Sequence, residues 1–142
     1  MTWQAPLADE AGRHGSFTVP AHFTSGQTIG IVTVDLDYPK LPGNVANATT
    51  FGYPVRYEKV EFEIERLFAG DPSIEGLVID AARKLEREGV RAIVGACGFF
   101  AHFQDSVAAA VDVPVFMSSL VQVPLIEVGL KPGQKIAVLA AD

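Results

Sequence analysis

The stretch AIVGACGFFAHFQD, Ala92 to Asp105, decides how this chain folds. Ala92-Ile93-Val94 has the length and composition of a short buried strand. Gly95-Ala96-Cys97-Gly98 is a turn of small residues. Phe99, Phe103, Val107 and Val111 then recur at every fourth position, the spacing of one helical face. That spacing turns Phe99 and Phe103 into the core and leaves Phe100 beside the turn. The chain's one cysteine therefore stands where a strand hands over to a helix. N–H groups at a helix start have no intrahelical partner and carry partial positive charge, so they favour an anion, a thiolate included. The flanking glycines let a ligand approach the backbone. A free cysteine is also a common small buried residue, and that structural role stands beside the reactive one.

Upstream, Thr28 to Val34 (TIGIVTV) is an unbroken β-branched and apolar run, the pattern of a central strand buried on both faces. Asp35 and Asp37 follow at its C-terminal end, where open α/β sheets bind ligands and where aspartates also terminate strands. Lys40 to Tyr53 reads as a long loop, a lid or binding loop by its length. Val55 to Val60 alternates as a half-exposed strand does. Asp71-Pro72 is a helix start, followed by Ile74, Leu77, Val78, Ala81, Ala82 and Leu85 on one helical face and Gly89 at the end.

Downstream, Val115-Phe116-Met117 is another short strand, and Ser118-Ser119 closes it with two hydroxyls placed to bind a carboxylate or to cap the next helix. A short helix runs from about Val123 to Gly129, and Lys135 to Ala141 (KIAVLAA) reads as a last buried strand. Strands that alternate with helices predict an α/β fold: a mainly parallel sheet with helices on both faces. Residues 28–142 form that unit, and residues 1–27, with His14 and His22, read as an irregular N-terminal arm with solvated histidines. In this order the loops after Val34, Val94 and Met117 meet at the carboxyl edge of the sheet.

The chain has 142 residues, 49% of them hydrophobic, enough for one proper core. Its net charge of −6 argues against nucleic acid or an anionic membrane as partner. One cysteine excludes an internal disulfide framework and fits a reducing compartment. With no leader-like N-terminus, the expected location is the cytoplasm. No nucleotide-binding loop and no metal-ligand spacing occurs.

IGIVTVDLDYPKLPGNVANATTFGYPV, GVRAIVGACGFFAHFQ, VPVFMSSL and KIAVLAAD together resemble the aspartate/glutamate/hydantoin racemase superfamily. The resemblance covers residues 28 to 142 and is most specific in GACGFFAHFQ. It implies a flavodoxin-like α/β lobe, one of two, with a thiol from each lobe acting on opposite faces of a substrate α-carbon. It implies no cofactor, neither pyridoxal phosphate nor metal. Carried over, Cys97 matches the first-lobe catalytic cysteine and Asp35 the polar position after the first strand. Gly98 and Phe99 match the amides that touch the substrate carboxylate, and Ser118 and Ser119 the segment that helps to hold it. The expected partner is a small carboxylate or amino-acid-like substrate. Measured against that family the chain reaches only the first lobe. The expectation is therefore the first half of such an enzyme, with homo-oligomerisation as a way to cover the exposed face. A carboxylate-binding module without catalysis, and a decarboxylase or cis–trans isomerase of the same superfamily, are the alternatives.

Overall fold

A computed structural model of the chain describes residues 2–8, 14–20, 22 and 24–140. Four strands form one parallel sheet: β3 (Ile29–Val34), β4 (Val55–Val60), β5 (Ala92–Gly95) and β6 (Val115–Phe116), in the order β4-β3-β5-β6. Renumbered within the sheet this is 2-1-3-4, the start of the flavodoxin-like order, with the TIGIVTV strand at the centre as its composition predicts. A separate antiparallel pair, β1 (Thr2–Ala8) with β2 (His14–Pro20), precedes the sheet.

This pair corrects the irregular reading of the N-terminal arm. Its register joins Trp3 to Val19 and Ala5 to Phe17. Apolar and polar residues alternate in both segments, but Pro6, Gly15 and Pro20 mask the pattern in the sequence. The His22 ring, read as merely solvated, is exposed yet bonds through Nδ1 to the Arg87 carbonyl at 3.1 Å.

The long helix α2 (Glu75–Arg87) forms where the sequence places it, after α1 (Ile64–Phe68) and a 310 turn over Pro72–Ile74. The Asp71 carboxylate accepts from the Ser73 N–H at 2.8 Å and caps this start. Gly89, at φ +87°, ends it in a conformation that disfavours a side chain. The inward stripe of Ile74, Val78, Ala82 and Leu85 is fully buried, but Leu77, read onto the same face, is 45% exposed: it stands one position before Val78, about 100° around the helix, and turns to the surface.

The register sorts the sheet into two faces. Gly30 lies beside Ile93, and Ile93 beside Val115. A Cβ on Gly30 would stand 3.0 Å from Leu85 Cδ1, so this row faces α2. Arg56 and Glu58 of β4 share that face and pair with Glu88 at 2.6 Å and Lys84 at 2.7 Å. The opposite row is Tyr57, Ile31, Val94 and Phe116. The loop of residues 40–53 lies over its first half: the Tyr57 hydroxyl donates to the Val45 carbonyl at 3.0 Å, and Ile31 is fully buried. Burial raises the pKa of that hydroxyl above the ordinary value.

The expected last strand does not form. Residues 135–140 have no strand partner, and Leu139 is 98% exposed; Ala141 lies outside the described residues. The outer edge of β6 is taken by a side chain. The Gln104 side chain donates through Nε2 to the Val115 carbonyl at 3.1 Å and accepts from the Met117 N–H at 2.8 Å. Bonding one residue's C=O and the N–H two places on is what a neighbouring parallel strand does. The amide occupies that place, and no partner is left there for a fifth strand.

Candidate active site at the carboxyl edge of the sheet

β5 ends in Gly95, and the chain passes through Ala96 and Cys97 into a 310 turn over Gly98–Phe103, then α3 (Gln104–Ala108). A Cβ at Gly95 would lie 2.1 Å from the Met117 carbonyl oxygen, so only glycine lets the ends of β5 and β6 come this close. Cys97 is extended (φ −132°, ψ 137°), stands just before the turn and is half-buried. Its carbonyl accepts the turn's first bond, from Phe100 N–H at 3.1 Å. The Gly98 and Phe99 amides precede that bond, which leaves them available to an anion.

The 310 geometry corrects the assignment of the phenylalanines. At three residues per turn, side chains at i and i+3 eclipse. Phe100 and Phe103 therefore share the buried face, Phe100 at 0% exposure. Phe99 and His102 share the outer one, their rings 6.4 Å apart. Phe99, expected in the core, is only partly buried against it: it also borders a cavity and packs on Phe68 with ring centroids 4.7 Å apart. Phe100, expected at the pocket, is core.

From the other side, Ser118 follows β6 in extended conformation. It is buried, and its hydroxyl accepts from Leu120 N–H at 3.2 Å, so it caps the turn Ser119–Gln122 that leads into α4 (Val123–Val128). The same oxygen lies 4.0 Å from where a Cβ on Gly98 would be. The two segments thus meet. Cys97, Gly98, Ser118 and Ser119 border two adjoining cavities, one of about 590 Å³ toward the 40–53 loop and one of about 560 Å³ toward α4 and residues 136–140.

Asp35 is not among their walls. Its carboxylate pairs with Lys59 at 3.0 Å on the open surface, and the next residue, Leu36, reaches the second cavity instead. Contributions that the sequence did not single out come from Val45 and Phe51 of the loop, from Phe116, and from Val121 and Gln122. The length of the 40–53 loop pointed to the first two; no local signal marked the others. Among the described residues no three His, Cys, Asp or Glu side chains are grouped to hold a metal ion, and no helix is long and apolar enough to cross a membrane.

The chain is 34% identical over 118 residues to dimethylsulfoniopropionate lyase 3 of Emiliania huxleyi (strain CCMP1516), an alignment covering 81% of this chain and 31% of that protein. It is equally identical over the same length to lyase 7 of that organism, covering 35% of it. It is 36% identical over 119 residues to a dimethylsulfoniopropionate lyase of Durusdinium sp. clade D, covering 81% of this chain and 40% of that protein. The chain thus matches between about a third and two fifths of the length of these relatives. No protein-family model matches it. Among solved structures, an aspartate racemase homologue from Pyrococcus horikoshii OT3 superposes with a TM-score of 0.42 at 20% identity, over 72% of this chain and 50% of that one.

Proposed function

We propose that this chain carries the base-bearing half of a lyase site, in which the Cys97 thiolate removes the proton next to the carboxylate of a small acid and the β-substituent leaves. The observation that carries the reading is the meeting of Cys97 and Gly98 with Ser118 and Ser119 on one cavity, in a chain 34–36% identical to dimethylsulfoniopropionate lyases. For that substrate the step balances. The thiolate takes a proton from C2, the C2–H electron pair becomes the C2–C3 double bond, and the C3–S bond breaks with its electrons staying on sulfur. Acrylate and dimethyl sulfide are released, and the proton stays on Cys97. The Gly98 amide and the Ser118–Ser119 hydroxyls hold the carboxylate, where charge accumulates as C2 loses its proton.

Elimination suits one thiol better than racemisation does. Inverting a centre needs an acid and a base on opposite faces. Elimination needs one base and a leaving group, and a sulfonium leaves as a neutral sulfide.

The test is headspace dimethyl sulfide from the purified chain with dimethylsulfoniopropionate, together with deuterium uptake at C2 in heavy water. Release that disappears in Cys97→Ser supports the proposal. Exchange at C2 without sulfide returns the site to racemase-type chemistry. Iodoacetamide should label Cys97 in the folded chain, and substrate should slow the labelling; labelling that needs denaturant, with neither exchange nor release, refutes a role in catalysis.

A further inference from the structure

A second subsite extends the lyase reading and rests on it. Dimethylsulfoniopropionate has a carboxylate at one end of a three-carbon chain and a methyl-clad cation at the other. The carboxylate end has its partners in Gly98 and Ser118. The cavity toward the loop offers the cation no acidic side chain, and its lining carries no charged residue of either sign. It offers two aromatic rings instead, Phe51 from the loop and Phe116 from β6.

We infer that Phe51 and Phe116 form the onium end of the site, their ring faces binding the sulfonium of the substrate while the Cys97–Gly98 and Ser118–Ser119 segments hold its carboxylate. Three observations carry this. First, Phe116 and Ser118 are two residues apart in extended backbone, so they project to the same side, about 6–7 Å apart along the strand direction. That spacing suits a three-carbon acid engaged from outside at both ends. Second, Phe116 is half-exposed at the uncovered end of the row Tyr57-Ile31-Val94-Phe116, so its ring is open to the cavity. Third, Phe51 is held in place. Its ring lies 5.7 Å from that of Tyr53, and the loop is tied to the sheet by the bond from Tyr57 to Val45. A sulfonium has no N–H to donate and so does not need a carboxylate. Its charge is spread over methyl groups that an aromatic face attracts, more strongly in apolar surroundings.

The experiment compares two ligands in calorimetric titration of the Cys97→Ser chain, which prevents turnover. One is dimethylsulfoniopropionate; the other is 4-methylpentanoate, which replaces the sulfonium by a neutral CH of the same shape. The cation should bind roughly 2- to 30-fold more tightly. Phe51→Leu with Phe116→Leu should bring the ratio to near one, with 4-methylpentanoate affinity little changed. Phe116→Tyr, which keeps a ring, should keep the preference. Equal affinities in the parent, a ratio that survives the double leucine variant, or no binding of either ligand overturns the inference. The two readings fail separately. Dimethyl sulfide release from the wild-type chain without cation preference keeps the elimination and removes the aromatic subsite. Cation preference without release does the reverse.

Discussion

The two faces of the sheet are built from equally apolar rows and treated differently. Gly30 and Ile93 lie under α2 and Val115 under α3, in the buried core, and Gly30 stands so close to Leu85 and Val90 that a side chain would not fit easily. Tyr57, Ile31, Val94 and Phe116 are covered only as far as Ile31, by a loop, and the remaining half borders the cavity beside Cys97. Close packing on one face sets the strand positions; incomplete packing on the other leaves a place for a ligand held at those positions.

The largest expected effect separates the faces directly. Leu85→Ala should cost about 2–5 kcal/mol of unfolding free energy, because the site cannot collapse around the lost atoms. Phe116→Leu should stay within about 0.5 kcal/mol, as half-exposed positions do. Urea titration of both variants checks this, and comparable losses would break the distinction.

Gln104→Ala comes next. Two bonds to the edge of β6 are lost, and the Val115 carbonyl and Met117 N–H lose a partner, for about 1–3 kcal/mol. On the proposed lyase reading, sulfide release should fall further than in a surface variant of equal stability, because Ser118 follows Met117. Unchanged release would show that the edge does not position the hydroxyls.

Tyr57→Phe should cost about 0.5–1.5 kcal/mol by freeing the Val45 carbonyl, and it should speed proteolysis within the 40–53 loop while cleavage elsewhere stays slow.

The smallest effect lies on the well-packed side and depends on pH. Hydrogen bonds from Ser73, and then the Arg66 guanidinium, hold the Asp71 carboxyl at about 2, below its ordinary 3.8. A depressed carboxyl stabilises the fold above its unfolded value, and that contribution disappears as pH falls from 3.8 toward 2. Thermal melts of Asp71→Asn should therefore start slightly below wild type at neutral pH and be less acid-sensitive than wild type in that window.

How much of this the sequence discloses depends on whether local and tertiary demands agree. Around α2 they do: the Asp71-Pro72 start, the apolar stripe apart from the exposed Leu77, and Gly89 each specify what forms. The strands β3, β5 and β6 and their shared carboxyl edge are equally readable, and with them the convergence of Cys97, Gly98, Ser118 and Ser119. Fourfold spacing misled at Phe99 and Phe100, because one 310 turn changes which side chains eclipse and nothing local announces that turn. The run at 135–141 is strand-like in composition, but pairing is a tertiary matter, and residues 135–140 have no strand partner. Asp35 sits where ligand-binding carboxylates sit, and Lys59, on the neighbouring strand, is visible only once β3 and β4 are paired.

The Gln104 amide also bears on how copies of this chain meet. An open strand edge is a template on which another chain's backbone can add, the first step toward β-aggregates. The sheet has two edges, β6 and β4. On β6 the side-chain amide already takes the outward C=O and N–H. On β4 the edge carries Arg56, Glu58 and Lys59, all engaged in ion pairs, so an incoming strand meets fixed charge. With both edges guarded, strand addition is disfavoured, and the exposed apolar side chains Leu125, Val128 and Leu139 lie away from these edges, on α4 and in residues 136–140.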